Sequence, residues 1–111
     1  MRTPKLEDLT KDPQLLLCAK LALKAVHTLN PNSGQPRYPD FIEIESYVAR
    51  GLMHRADQQS AEAFGIKLKE VKSLGVVGFL RSNNYIEPYS DNRYCISKEI
   101  VANCSQFYEG I

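Results

Sequence analysis

Residues 60–97 read SAEAFGIKLKEVKSLGVVGFLRSNNYIEPYSDNRYCIS, a two-helix pattern followed by a hairpin pattern. Its first half carries residues at the offsets that two helices need when they meet steeply over a tight turn. Ala61 is small enough for a second helix to cross it, and Gly65, four residues on, tolerates a turn backbone. Phe64, Ile66, Val71 and Leu74 fall where apolar side chains would seal the angle from inside, whereas Ser60 is polar where an apolar residue is usual. The spacing predicts a short helix from Asp57 to Phe64, ended by Gly65, and a second from about Leu68 to Ser82. Gly75 and Gly78 interrupt the second, at a cost of roughly 1 kcal/mol each against alanine in an exposed helix.

The second half reads as a hairpin. Asn83-Asn84 is a stop and turn signal, and Tyr85–Tyr89 and Tyr94–Ser97 form two short strands around Ser90-Asp91-Asn92-Arg93. Taken in this order, the stretch resembles the winged helix-turn-helix superfamily of DNA-binding proteins. Leu80-Arg81-Ser82-Asn83-Asn84-Tyr85-Ile86-Glu87 is similar to the end of a recognition helix running into a wing. Ser90-Asp91-Asn92-Arg93-Tyr94-Cys95-Ile96-Ser97 is similar to a wing tip and its returning strand. The resemblance covers residues 40–97 and implies double-stranded DNA as the partner. It singles out no particular family, so it assigns no site residues. The chain departs from the pattern where the second helix opens, since Lys67-Leu68 stands in place of a Ser, Thr or Asn cap.

Outward from this core, Asp40 followed by Glu43 has the form of a capping box and opens a helix with Phe41, Ile44, Val48 and Leu52 on its apolar face. The alternation Ile42-Glu43-Ile44-Glu45 would also suit a short strand; the cap and the longer period favour helix. Residues 30–39 are rich in Asn, Pro and Gly and read as a loop, and Pro39 keeps Tyr38 out of helical geometry. Asp12-Pro13 begins a long helix over 12–29. Its polar stripe is narrow (Lys20, Lys24 and His27) and nearly all else is apolar, so it is buried on more than one side. It serves either as a central core helix or as a contact with a second copy. Residues 1–11 form a loose lead-in, and 98–109 a last helix with Ile100, Val101, Cys104, Phe107 and Tyr108 on one side. The expected architecture is one domain, mainly α with a small β-hairpin: a winged helix-turn-helix with an extra N-terminal and a C-terminal helix.

Bulk properties narrow the function classes. With 111 residues, 43% hydrophobic and 24% charged, the chain has room for one core and matches a soluble globular protein. The longest apolar run, around Leu15–Ala19, is far short of a bilayer span, and the N-terminus lacks a signal-peptide pattern. A cytoplasmic protein without a membrane is expected. Cys18, Cys95 and Cys104 are odd in number and form no C-x-x-C pair, so buried thiols are expected rather than a disulfide framework or zinc site. No spacing pairs a cysteine with His27 or His54 as a nucleophile and base, and no phosphate-binding glycine loop is present. Neither an enzyme nor a cofactor is expected.

Net charge is only +1, but four bases (Lys67, Lys69, Lys72, Arg81) face one acid (Glu70) between residues 67 and 81. The expected DNA contacts follow. Lys69, Lys72 and Ser73 reach into the major groove, with Lys67 where the helix begins. Arg81 touches backbone late on the helix, and Asn92 and Arg93 reach a phosphate or the minor groove from the wing. A transcriptional regulator acting as a homodimer, through the long first helix or the C-terminal one, is the leading expectation. The rival is a winged-helix module for protein contacts, a subunit or inhibitor in a larger assembly, which the near-neutral charge favours.

Overall fold

A single helix, α2 (Pro13–Thr28), forms the middle of the molecule in a computed structural model that describes residues 3–29 and 38–111. Asp12 caps it as expected, its Oδ1 accepting from the Gln14 N–H at 3.0 Å with Pro13 at the first helical position. Cys18, Ala19, Leu21, Ala22, Leu23, Ala25 and Val26 are all buried. The neighbours that bury them belong to the same chain: α3 (Phe41–Arg55), α5 (Val76–Ser82), the C-terminal 3-10 segment Val101–Tyr108 and strand β2 (Arg93–Ile96). Of the two roles expected for this helix, the core role is the one observed.

α3 opens with the full capping box. Asp40 Oδ1 accepts from the Glu43 N–H at 2.8 Å, and Glu43 Oε1 accepts from the Asp40 N–H at 3.5 Å. Ile44, Val48 and Leu52 are buried, but Phe41, expected on the same face, is exposed. The loop expected over 30–39 lies largely outside the described residues. Its last part, Tyr38-Pro39-Asp40, runs beside β2, with an isolated bridge between Asp40 and Arg93 and a bond from the Tyr94 N–H to Pro39 O at 3.0 Å.

The two-helix motif differs from expectation. No turn occurs at Gly65; α4 runs unbroken from Ala61 to Leu74. Its cap is Ser60, whose Oγ accepts from the Ala63 N–H at 3.1 Å, so this serine is an exposed capping residue rather than an inward one. The chain turns before it, where Asp57 takes a positive φ of 53°, and after it, where Gly75 sits at φ 63°. A helix tolerates one exposed glycine when a good cap and a packed face offset its cost of about 1 kcal/mol. Gly75 ends α4 because a left-handed residue cannot continue the helix and glycine enters that region without a Cβ penalty.

The hairpin is close to the one expected. Strand β1 (Ile86–Ser90) pairs antiparallel with β2, with Ile86 opposite Ile96, and the pairing slips between Pro88 and Ser90. Asn92 takes φ 56° in the turn. Asn84, at φ 64°, ends the preceding turn, and Tyr85 behind it is fully buried.

Both terminal segments differ from expectation. The lead-in is not loose throughout: α1 (Leu6–Leu9) buries Leu6 completely, and the Tyr85 hydroxyl donates to Pro4 O. The last segment is a 3-10 helix broken at Asn103, not an α-helix over 98–109; it buries Cys104 and sets Phe107 edge-on to Tyr85 at 5.6 Å. Among the described residues no helix is long and apolar enough to cross a membrane.

Candidate nucleic-acid interface

α3 and α4 lie back along each other across the turn at 56–60. Arg50 sits 5.8 Å over the Phe64 ring near one end, and Lys72 is the cation that Glu45 feels near the other. α4 turns Val71 inward, with Phe64 and Leu68 partly buried beside it. Helical spacing then places Glu62, Gly65, Ile66, Lys69, Lys72 and Ser73 together on the opposite side, and all six are exposed. Three of the expected contact residues, Lys69, Lys72 and Ser73, therefore share one solvent face.

Their local bonds differ. Lys69 has no bond or ion pair among the described residues. Ser73 Oγ donates to Glu70 O at 2.8 Å, a back-bond within the helix. Lys72 lies near Glu45, which is buried with Oε1 lacking a hydrogen-bond partner. Burial pushes the Glu45 carboxyl above its ordinary value, and the Lys72 ammonium pulls it back down.

The other expected residues are distributed less favourably. Lys67 lies on the flank away from Lys69, with Nζ 3.6 Å from Glu70 Oε2. Arg81 is exposed on α5, whose Val76, Val77 and Leu80 are buried. Arg93 is not a free wing-tip cation: Nη1 donates to Tyr38 O at 2.5 Å and lies 3.7 Å from Glu43 Oε1. Asn92 is exposed, with its main-chain oxygen accepting from the Phe41 N–H at 3.1 Å.

Around this hairpin end exposed apolar side chains sit beside Asp91 and Asn92. The Tyr89 ring packs at a tilt against Tyr38 with ring centres 4.2 Å apart and remains 54% exposed, and Ile42 is 67% exposed.

All three thiols are held toward the protonated form. Burial pushes Cys18 up to about 11 and Cys104 up to about 12. Burial also raises Cys95, helped by the nearby Glu87 carboxylate. Among the described residues no group of His, Cys, Asp or Glu is placed to hold a metal ion.

A second basic cluster escaped the sequence reading. Lys24 of α2 and Arg50, His54 and Arg55 of α3 line one groove. The spacing of Arg50 and His54, one helical turn apart, was the available signal; Lys24 joins them only through the packing of α2 on α3. Comparison of the chain with protein families, with curated proteins and with solved structures finds no match.

Proposed function

We propose that the chain is a DNA-binding protein of the winged-helix kind, acting in transcriptional regulation in the cytoplasm. The order of elements supports the shape: α2, the edge segment at 38–40, α3, α4, α5, then the hairpin, with the edge segment beside the hairpin's second strand. The observation that carries the function is the shared exposed face of Lys69, Lys72 and Ser73 on a helix whose opposite side is buried on α3. These side chains contact base edges or phosphates of a major groove, and Arg81 and Asn92 supply flanking backbone contacts. Lys67 and Arg93 serve the fold instead, through Glu70, Glu43 and Tyr38.

Few cations take part, so affinity is modest and sensitive to salt. Of the two dimer surfaces expected, α2 is covered within one copy, whereas the C-terminal 3-10 segment leaves Val101 56% exposed. A homodimer would form there.

The experiment is retardation of random duplex DNA at low salt by the wild-type chain and by Lys69→Glu with Lys72→Gln. Retardation by the wild type alone supports the reading. If neither chain shifts the duplex, the reading fails. The second reading, a module for protein contacts, draws on the apolar rim of Tyr89 and Ile42 and on the engaged Arg93.

A further inference from the structure

We propose that the groove between α2 and α3 is a phosphate-binding site, separate from the exposed face of α4. It is a cavity of about 410 Å³ lined by Lys24, Tyr47, Arg50, His54 and Arg55, with the buried Leu21 behind them. Tyr47, Arg50 and His54 recur at intervals of three and four residues, so they share one side of α3. Arg55 bonds back to Gly51 O at 3.5 Å, which keeps its guanidinium beside the same stripe. Lys24 meets the stripe from α2. α4 packs on the adjoining flank of α3, where Glu45 faces Lys72 and the Arg50 guanidinium reaches over the Phe64 ring at 5.8 Å.

The charge balance points to the ligand. No acidic side chain lines the cavity, and no carboxylate side chain is paired with Lys24, Arg50 or Arg55 among the described residues. Three permanent cations held in one groove repel one another, and a bound anion relieves that repulsion. Lys24 Nζ already donates to an oxygen of Ile111, which also lines the groove and in this 111-residue chain carries the α-carboxylate, so the three cations keep an excess of two charges. That contact is 3.4 Å long, well beyond the ~2.8 Å of a close charge-assisted bond. A stronger acceptor would therefore displace it. The Arg55 guanidinium fork matches phosphate oxygens in geometry, Arg50 adds charge from beside the Phe64 ring, and the Tyr47 hydroxyl adds a further donor. Three positive charges exceed what one carboxylate neutralises, which favours a phosphate. The group can belong to a nucleic-acid backbone or to a free phosphate compound. The site does not depend on the DNA reading of α4.

The test uses the full chain titrated with inorganic phosphate and with pyrophosphate, against chloride at constant ionic strength. Thermal midpoint and amide chemical shifts are followed. The expected result is a rise in Tm, with shifts confined to Lys24 and residues 47–55. Arg50→Gln combined with Arg55→Gln changes only exposed side chains, and it should weaken the apparent affinity by roughly tenfold or more. Should that variant unfold, Lys24→Gln provides the same reading from α2. No response in the wild type, or an equal response in a folded variant, overturns the proposal. Adding duplex DNA identifies the source. Displacement of DNA by phosphate, together with loss of DNA binding in the Arg50/Arg55 variant, assigns a nucleic-acid backbone. Phosphate binding with DNA binding unchanged in both tests assigns a free phosphate compound.

Discussion

Arg93 Nη1 donates to the main-chain oxygen of Tyr38 at 2.5 Å, and so fastens the returning strand of the hairpin to the segment that leads into α3. The same nitrogen lies 3.7 Å from Glu43, the residue that closes the α3 capping box. One side chain thus links the edge segment, the helix start and the hairpin. Arg93→Ala is expected to cost roughly 1–2 kcal/mol, because a charge-assisted bond and a part-exposed ion pair are lost together. Urea denaturation measures this, and an unchanged midpoint would place no weight on the link.

The two glycines of the α4 region should respond in opposite directions. A Cβ at Gly65 would meet nothing within 4 Å, so Gly65→Ala should stabilise the chain by about 0.5–1 kcal/mol through helix propensity. Gly75 has φ 63°, so Gly75→Ala should destabilise it by about 1 kcal/mol. Thermal unfolding of the pair separates a continuous α4 from one broken at Gly65, since a turn at Gly65 would make the first substitution harmful.

Glu45 makes stability depend on pH. Burial holds its carboxyl above the ordinary 4.5 in the folded chain, with Lys72 opposing the shift. The folded state therefore keeps this proton to higher pH than the unfolded state does. Its contribution is fully favourable below 4.5 and is lost as pH rises from there through the folded value. Glu45→Gln should flatten that decline and exceed the wild type at neutral pH by about 1 kcal/mol. Lys72→Gln, which removes the compensating charge, should steepen it. Chemical denaturation from mild acid to neutrality reads both.

Leu6 is fully buried although α1 is four residues long. Leu6→Ala should cost about 2–5 kcal/mol, the range for a cavity in a packed core. A loss close to zero in urea denaturation would return residues 1–11 to the status of a loose lead-in.

Cys18 and Cys104 should react with a disulfide reagent only on unfolding, since burial both shields them and disfavours their thiolates. Cys95 is partly exposed and should react first, slowly, because its thiolate is also disfavoured. Mass spectrometry of the labelled native chain gives the order.

Local hydrogen bonding was the most legible layer of the sequence. Asp12 and Asp40 cap helices because a carboxylate near a helix start finds free N–H groups, and that needs no knowledge of the rest of the fold. The stop at Asn83-Asn84 and the turn at Asn92 followed from equally local preferences. Gly65 is ambiguous because a glycine marks both turns and tolerated helix positions, and only the Ser60 cap, visible in its bond to Ala63, separates the two. The burial of Leu6 is hard to read from sequence, since Leu6 and Leu9, three apart, are too few to establish a period. For the candidate site, the shared face of Lys69, Lys72 and Ser73 was readable from spacing alone. The engagement of Arg93 by Tyr38 and Glu43 was not, because those residues lie 55 and 50 positions away and meet Arg93 only through tertiary pairing.

If the exposed face of α4 holds duplex DNA, as proposed, binding should weaken with salt in a way that depends on Lys69. Fluorescence anisotropy of a labelled random duplex across a salt series should give a falling line of log K against log salt for the wild type. Lys69→Gln should reduce the slope by roughly 1 and leave Tm unchanged, as expected when one phosphate contact is lost. A wild-type chain that does not bind at the lowest salt, or a Lys69→Gln line that overlies the wild-type one, would contradict the account.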